Sequence, residues 1–218
     1  MKITTYDELI QEAKNWSGRT DLTDDQYHSF TYFVGSVANQ ILRVAPMEWT
    51  EIIDVSADGH VVIPPDFQEL KSLTWQFNSD ESVPLRRVSW DQYVNYRNTA
   101  DASDNQSRWF SRQGGYWFLA PLADPGSKVT CHYFRTLPDI NSVEQTNWLI
   151  QYSPLTYLFG TLHFLYLFVM DEERAAYWLE KMQGELNRIQ VMYESSEYKG
   201  STMSIQSPTN PGDINYGV

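Results

Sequence analysis

One stretch limits the folding of this chain more than any other: YLFGTLHFLYLFVM, residues 157–170, joined without a break to DEERAAYWLEKMQGELNRIQ, residues 171–190. The first part carries no charge and is apolar all round a helix, with His163 among its few polar side chains. Such a helix has to be covered on every side by other parts of the protein. It is too short to span a bilayer, which needs about 20 apolar residues. The second part has two faces. Ala175, Trp178, Met182, Leu186, Ile189 and Tyr193 recur at spacings of three and four, the mark of one buried stripe. Asp171 stands as its N-cap, and Glu172 and Glu173 favour the positive end of the helix dipole. The chain is therefore expected to place a helix from Pro154, capped by Ser153, to Met170 at the centre of a bundle.

The N-terminal residues supply cover for it. TYDELIQEAKNW, residues 5–16, reads as a short amphipathic helix with Leu9, Ala13 and Trp16 on one side and Gly18 as its stop. Thr23 and Gln26 have capping-box spacing. From there Tyr27, Phe30, Val34, Val37, Ile41 and Val44 predict a helix over about 24–44, ended before Pro46.

Between these helix pairs the period changes. WTEIIDV and HVVIP flank Asp58-Gly59, a turn signal between two strands. LKSLTWQF predicts a third strand, followed by a polar loop at 78–82. Ser89 and Gln92 cap a short helix to about Arg97, and residues 98–107 form a second polar loop. RWFSRQGGYWFLAP predicts a hairpin about Gly114-Gly115, with KVTCHYFR as its neighbouring strand beyond the Asp124-Pro125-Gly126 turn. The expected fold is α+β. Residues 1–46 and 138–198 form a four-helix bundle from N- and C-terminal helix pairs, and 47–137 form a central β-rich insertion. Residues 199–218, with few core residues, are too polar to fold alone.

Charge and cysteine content narrow the function. A net charge of -12 argues against a protein that grips nucleic acid through its phosphates, since that needs clustered Lys and Arg. The single cysteine, Cys131, rules out an internal disulfide and a zinc site of the usual multi-cysteine kind. The start, MKITTYDELIQEA, lacks the apolar run of a signal peptide. No phosphate-binding glycine loop, nucleophile elbow or H-E-x-x-H is present. Cys131 and His132 point to opposite faces of a strand and cannot pair directly. His163 with Asp171 or Glu172 is the one arrangement an enzyme could use, set against a plain core histidine beside helix-capping acids.

The chain is rich in aromatics, 15 % of residues, and two uses compete for them. Trp109, Tyr116, Trp117 and Phe118 around the hairpin could form a sugar-binding platform, or pack in the core and against neighbouring subunits. Arg86 and Arg87 could meet DNA or an acidic neighbour, or simply be solvated. In the tail, Met203, Ile205, Ile214 and Tyr216 are spaced as anchors for extended binding.

In this order the segments resemble a known family. TYDELIQEAKNWSGR with FVGSVANQILR, DGHVVIPPDFQELKSL, YWFLAP with VTCHYFRTLPDI, and the stretch NWLIQYSPLTYLFGTLHFLYLFVMDEERAAYWLEKMQGELNRIQ are similar to the head-to-tail adaptor proteins of tailed bacteriophages, related to tail tubular protein A. The resemblance covers about residues 3–193. It implies a virion structural protein without catalysis or cofactor. It implies a ring, usually of twelve copies, seated under the portal and receiving the tail or nozzle, with a channel for the genome. Expected partners are the portal protein, a tail or nozzle protein and further copies of the chain. DNA would pass without specific binding, and no membrane is involved. In this picture Met203, Ile205, Ile214 and Tyr216 bind the portal or a neighbouring subunit, and Trp109, Tyr116, Trp117, Arg86 and Arg87 lie at the subunit interface.

Overall fold

A computed structural model describes residues 2–76, 82–99 and 107–198. Over these the chain is α+β, with six α-helices and two four-stranded sheets.

Two helices open the chain. Helix α1 spans Tyr6–Ser17 and α2 spans Asp24–Ile41. Thr5 caps α1 by accepting from the Glu8 N–H, and Gly18 closes it in the left-handed conformation at φ 65°. Thr23 and Gln26 form both halves of the capping box on α2. That helix ends earlier than the sequence stripe predicts, because Leu42 turns extended at ψ 135°. Its buried line runs Phe30, Val34, Ala38, Leu42, a single i+4 ridge, so Ile41 is left exposed.

Three more helices close the fold. These are α4 over Trp148–Tyr152, α5 over Pro154–Phe168 and α6 over Glu172–Tyr198; α3 belongs to the central region. Ser153 stands at the start of α5, with Pro154 in the first turn, but its hydroxyl caps no helix N–H; it lies 3.1 Å from the Glu185 carboxylate instead. Asp171 does cap α6, accepting from the Arg174 N–H at 3.1 Å. Helices α1, α2, α4 and α6 all pack on α5. Tyr157, Leu158, Leu162 and Leu165 are enclosed, as an all-round apolar helix requires. The cover stops short of its ends, where Leu155, Leu167 and Phe168 are exposed. The stripe on α6 lies inward at Ala175, Met182, Leu186 and Ile189, with Trp178 and Tyr193 packed at its margins.

The central residues build two sheets over a separate core. Strands β1 (Glu48–Asp54), β3 (Phe67–Gln76), β4 (Ser82–Pro84) and β8 (Lys128–Arg135) form one sheet in the order β1-β8-β3-β4. Strands β2 (His60–Val62), β5 (Arg86–Arg87), β6 (Trp109–Gln113) and β7 (Tyr116–Ala120) form the other in the order β2-β7-β6-β5. Leu73, Trp75, Val129, Cys131 and Tyr133 of the first share a core with Val61, Phe110, Trp117 and Leu119 of the second. Helix α3, Trp90–Thr99, starts behind the Ser89–Gln92 capping pair and packs on β6 and β7.

Two connections differ from the sequence expectation. The Asp58-Gly59 turn forms, closed by the Gly59 N–H on the Ser56 carbonyl at 3.0 Å, but β1 and β2 do not pair. The chain crosses there from one sheet to the other. Likewise β8 is not the neighbour of the β6–β7 hairpin; it sits between β1 and β3, paired antiparallel to both. In each case the turn residues specify a reversal and leave the partner open, which the core between the sheets decides. Residues 78–81 and 100–106 of the expected polar loops lie outside the described residues, as do residues 199–218.

Candidate interaction surfaces

The β6–β7 hairpin sets the position of the aromatic candidates through its register. Ser111 opposes Phe118 and Gln113 opposes Tyr116, so Trp109, Tyr116 and Phe118 fall on one face and Trp117 on the other. Trp117 is 1 % exposed and meets Phe67 edge-on at 5.2 Å, so it is core and offers no surface to a neighbour. Trp109 is partly buried, stacked on Tyr96 of α3 at 4.3 Å. Phe118 is covered by Trp90 and Tyr93. Tyr116 is 43 % exposed and packs on His60 at 4.7 Å. The four rings proposed for a sugar platform therefore do not share an open face: one is buried on the far side and two lie under α3.

The arginines join part of this group. Strand β5 runs parallel to β6, with Arg86 beside Trp109 and Arg87 beside Phe110, and both arginines are exposed. Tyr116 lies at the opposite end of the hairpin, about 13 Å along the strand from Trp109. Arg86 therefore shares the face of Trp109, Arg87 falls with Phe110 on the opposite face, and Tyr116 lies apart from both. Met203, Ile205, Ile214 and Tyr216 fall outside the described residues.

Helices α2 and α6 carry exposed aromatics off their predicted stripes, and Trp16, expected on the apolar side of α1, is 44 % exposed. Tyr32 and Phe33 are exposed on α2, Phe33 meeting Phe164 of α5 and Phe30 meeting Phe168. Trp16 lies against Phe159 and Trp178, with Tyr177 exposed beside them. The signal for Tyr32 and Phe33 was present in the sequence, as aromatics adjoining but not on the stripe of α2.

Among the described residues, His163 and Asp171 engage separate partners. His163 is bonded through Nδ1 to the Ala175 carbonyl at 2.8 Å, while the Asp171 carboxylate holds the Arg174 N–H. Burial, then Glu51, pushes the Cys131 thiol up to about 12. No group of three His, Cys, Asp or Glu able to hold a metal occurs among the described residues. A cleft of about 470 Å³ between α1, α2 and the 141–142 segment contains Asp7, Lys14, Asp24, Asp25 and His28. Lys14 is bonded to Asp24 at 3.1 Å and His28 to Asp139 at 2.9 Å, and the Tyr6 hydroxyl there is pushed up to about 12 by burial and by Asp24. Among the described residues no helix is long and apolar enough to cross a membrane.

Among the described residues, exposed aromatic faces on the helices and the hairpin are the conspicuous surface features. The family model for the SU10 adaptor protein matches residues 4–207, and the chain belongs to the SU10 adaptor protein family. It is on this basis a structural adaptor protein of a bacteriophage and a component of the virion. No curated protein matches the chain.

Proposed function

We propose that the chain forms the adaptor ring between the portal and the tail, a conduit through which the genome passes, and that it is related to tail tubular protein A. The observation that carries this reading is the family match across residues 4–207, almost the whole chain. Ring subunits of this kind would use residues 1–46 and 138–198 as a four-helix bundle and 47–137 as a β-rich insertion. The net charge of -12 supports a passage that repels the phosphates of DNA and lets it slide.

The ring is of twelve copies in this reading, with the portal on one side and a tail or nozzle protein on the other. Arg86, Arg87, Trp109 and Tyr116 meet the neighbouring subunit, with Trp117 supporting the hairpin from within the core. Met203, Ile205, Ile214 and Tyr216 reach the portal or a neighbour. The subunit needs no cofactor and performs no catalysis.

Native mass spectrometry of this protein mixed with the portal encoded beside it tests the proposal. The expected result is a stoichiometric complex carrying a ring of copies, weakened when the chain is cut to residues 1–198. An intact portal ring that binds no copy would overturn it.

A further inference from the structure

The first sheet has one open side. Its β4 edge is three residues long and ends at Pro84, and the second sheet is bounded by strands of three and two residues. Strand β1 is seven residues long, contains no proline, and pairs on one side only, from Glu48 opposite Phe134 to Asp54 opposite Lys128. Among the described residues, no backbone hydrogen bond leaves its other side. An edge of this length is a template for a further strand. Both of its faces hold incompletely covered apolar groups: Trp49 is 46 % exposed and Ile53 half-buried on one face, with Glu51 between them, and Ile52 is 58 % exposed on the opposite face.

Charge selects what can add there. Glu48, Glu51 and Asp54 line the strand. Two β1 edges side by side would crowd their carboxylates together, and such a pair would close as a two-fold dimer. Residues 199–212, KGSTMSIQSPTNPG, contain no Asp or Glu and one Lys, in a chain whose net charge is -12. Within them STMSIQ has neither Pro nor Gly, and Met203 and Ile205, two apart, would share one face of a strand. Helix α6, which leads into this segment, passes the sheet at Gln190, eight residues before Tyr198. Gln190 of α6 accepts from the Arg43 N–H, and Arg43 is bonded to Glu69, which lies across β8 from Glu48.

We propose that residues 201–206 of one copy add as a strand to the β1 edge of the neighbouring copy, with Ser204 opposite Ile52 and with Met203 and Ile205 on the face of Glu51 and Ile53. This rests on the ring reading and names the neighbour's surface that the tail meets. Every copy then presents one edge and one tail, so a head-to-tail contact uses both in every subunit around a closed ring.

A chain carrying Ile52→Cys and Ser204→Cys, assembled with the portal and oxidised, tests it. Cys131 is fully buried and stays out of the exchange. The expected result on a denaturing, non-reducing gel is a ladder of dimers and higher multimers, absent from either single variant. A link confined to the monomer, or no link in rings shown intact by native mass spectrometry, would overturn the strand addition and leave the adaptor reading standing. If the wild-type chain forms no ring on the portal, both fall together. Amide exchange on the wild-type sequence gives a second measurement without substitutions. Residues 49–53 are expected to exchange at least tenfold more slowly in rings of the full chain than in rings of residues 1–198; equal rates would overturn the proposal.

Discussion

Gly160 of α5 lies directly against Val34 of α2. A Cβ at position 160 would fall 2.7 Å from the Met182 sulfur and nearer still to a methyl carbon of Val34. Helix propensity alone favours Gly160→Ala by about 1 kcal/mol. Overpacking a core costs about 1–3 kcal/mol, and the branched Val34 side chain has little rotamer freedom with which to yield. The expected outcome is a net loss of up to about 2 kcal/mol in urea unfolding. Val34→Ala placed in the same chain should recover part of the Gly160→Ala penalty, measured as a coupling energy in a double-mutant cycle. A Gly160→Ala chain more stable than the parent would show that α2 and α5 do not approach this closely.

Cys131 offers a chemical probe of the β core. It is fully buried between the sheets, with its thiol pushed from 9.0 up to about 12 by burial and then by Glu51. At pH 8 about one thiol in ten thousand would be ionised even if a reagent reached it. Reaction with a disulfide reagent should therefore be slow in the native protein and fast in denaturant, at a rate that follows opening of the core. The pH dependence has a definite sign. Because the folded value is raised, the contribution of the thiol to stability is complete below pH 9 and is lost as pH rises through about 12. Cys131→Ser should flatten that part of the alkaline unfolding curve. Native labelling at the rate of a free thiol would contradict the placement.

The parts of this fold that could be read from the sequence are those fixed by neighbours a few residues apart. Thr23 with Gln26, Ser89 with Gln92, and Asp171 all cap helices as their spacing indicates. Strand partners are another matter. Val129, Cys131 and Tyr133 alternate inward on β8, and that pattern would serve in either sheet facing the shared core. A turn such as Asp58-Gly59 dictates where the chain reverses but not which sheet it rejoins. The hairpin shows the same limit for the candidate surface. Period two separates Trp117 from Tyr116, yet aromatics line both faces because α3 covers one and the core the other. Only the fold decides which ring reaches solvent.

Asn147 links three segments around α5. Its side-chain oxygen accepts from the Ile150 N–H at 3.0 Å, capping α4, and its amide lies 2.8 Å from both the Pro138 carbonyl and the Tyr157 hydroxyl. Tyr157 is almost fully buried, and its hydroxyl is held well above its ordinary pKa by burial. Asn147→Ala removes a cap worth about 1 kcal/mol and leaves a buried hydroxyl without this partner, costing about 1–3 kcal/mol more. The expected loss is about 2–4 kcal/mol in denaturant unfolding. Tyr157→Phe introduced together with Asn147→Ala should cost less than the two single changes added, since the orphaned hydroxyl is then gone. Strict additivity would mean that the two side chains do not share a bond.

Met170 occupies the turn between α5 and α6 in a conformation that suits glycine. Its φ is 61°, its N–H bonds the Leu167 carbonyl at 3.1 Å, and the Asp171 N–H bonds the Tyr166 carbonyl at 2.9 Å. These two bonds make a Schellman ending to α5, with the left-handed residue at the position glycine normally takes. A side chain with a Cβ costs about 1 kcal/mol in this region. Met170 recovers little through packing, being 88 % exposed. Met170→Gly should therefore stabilise the free subunit by up to about 1 kcal/mol, set against the greater chain entropy that glycine brings to the unfolded state. Thermal or urea unfolding of the isolated protein measures it. A substantial loss of stability would show instead that the exposed Met170 side chain holds the turn in place.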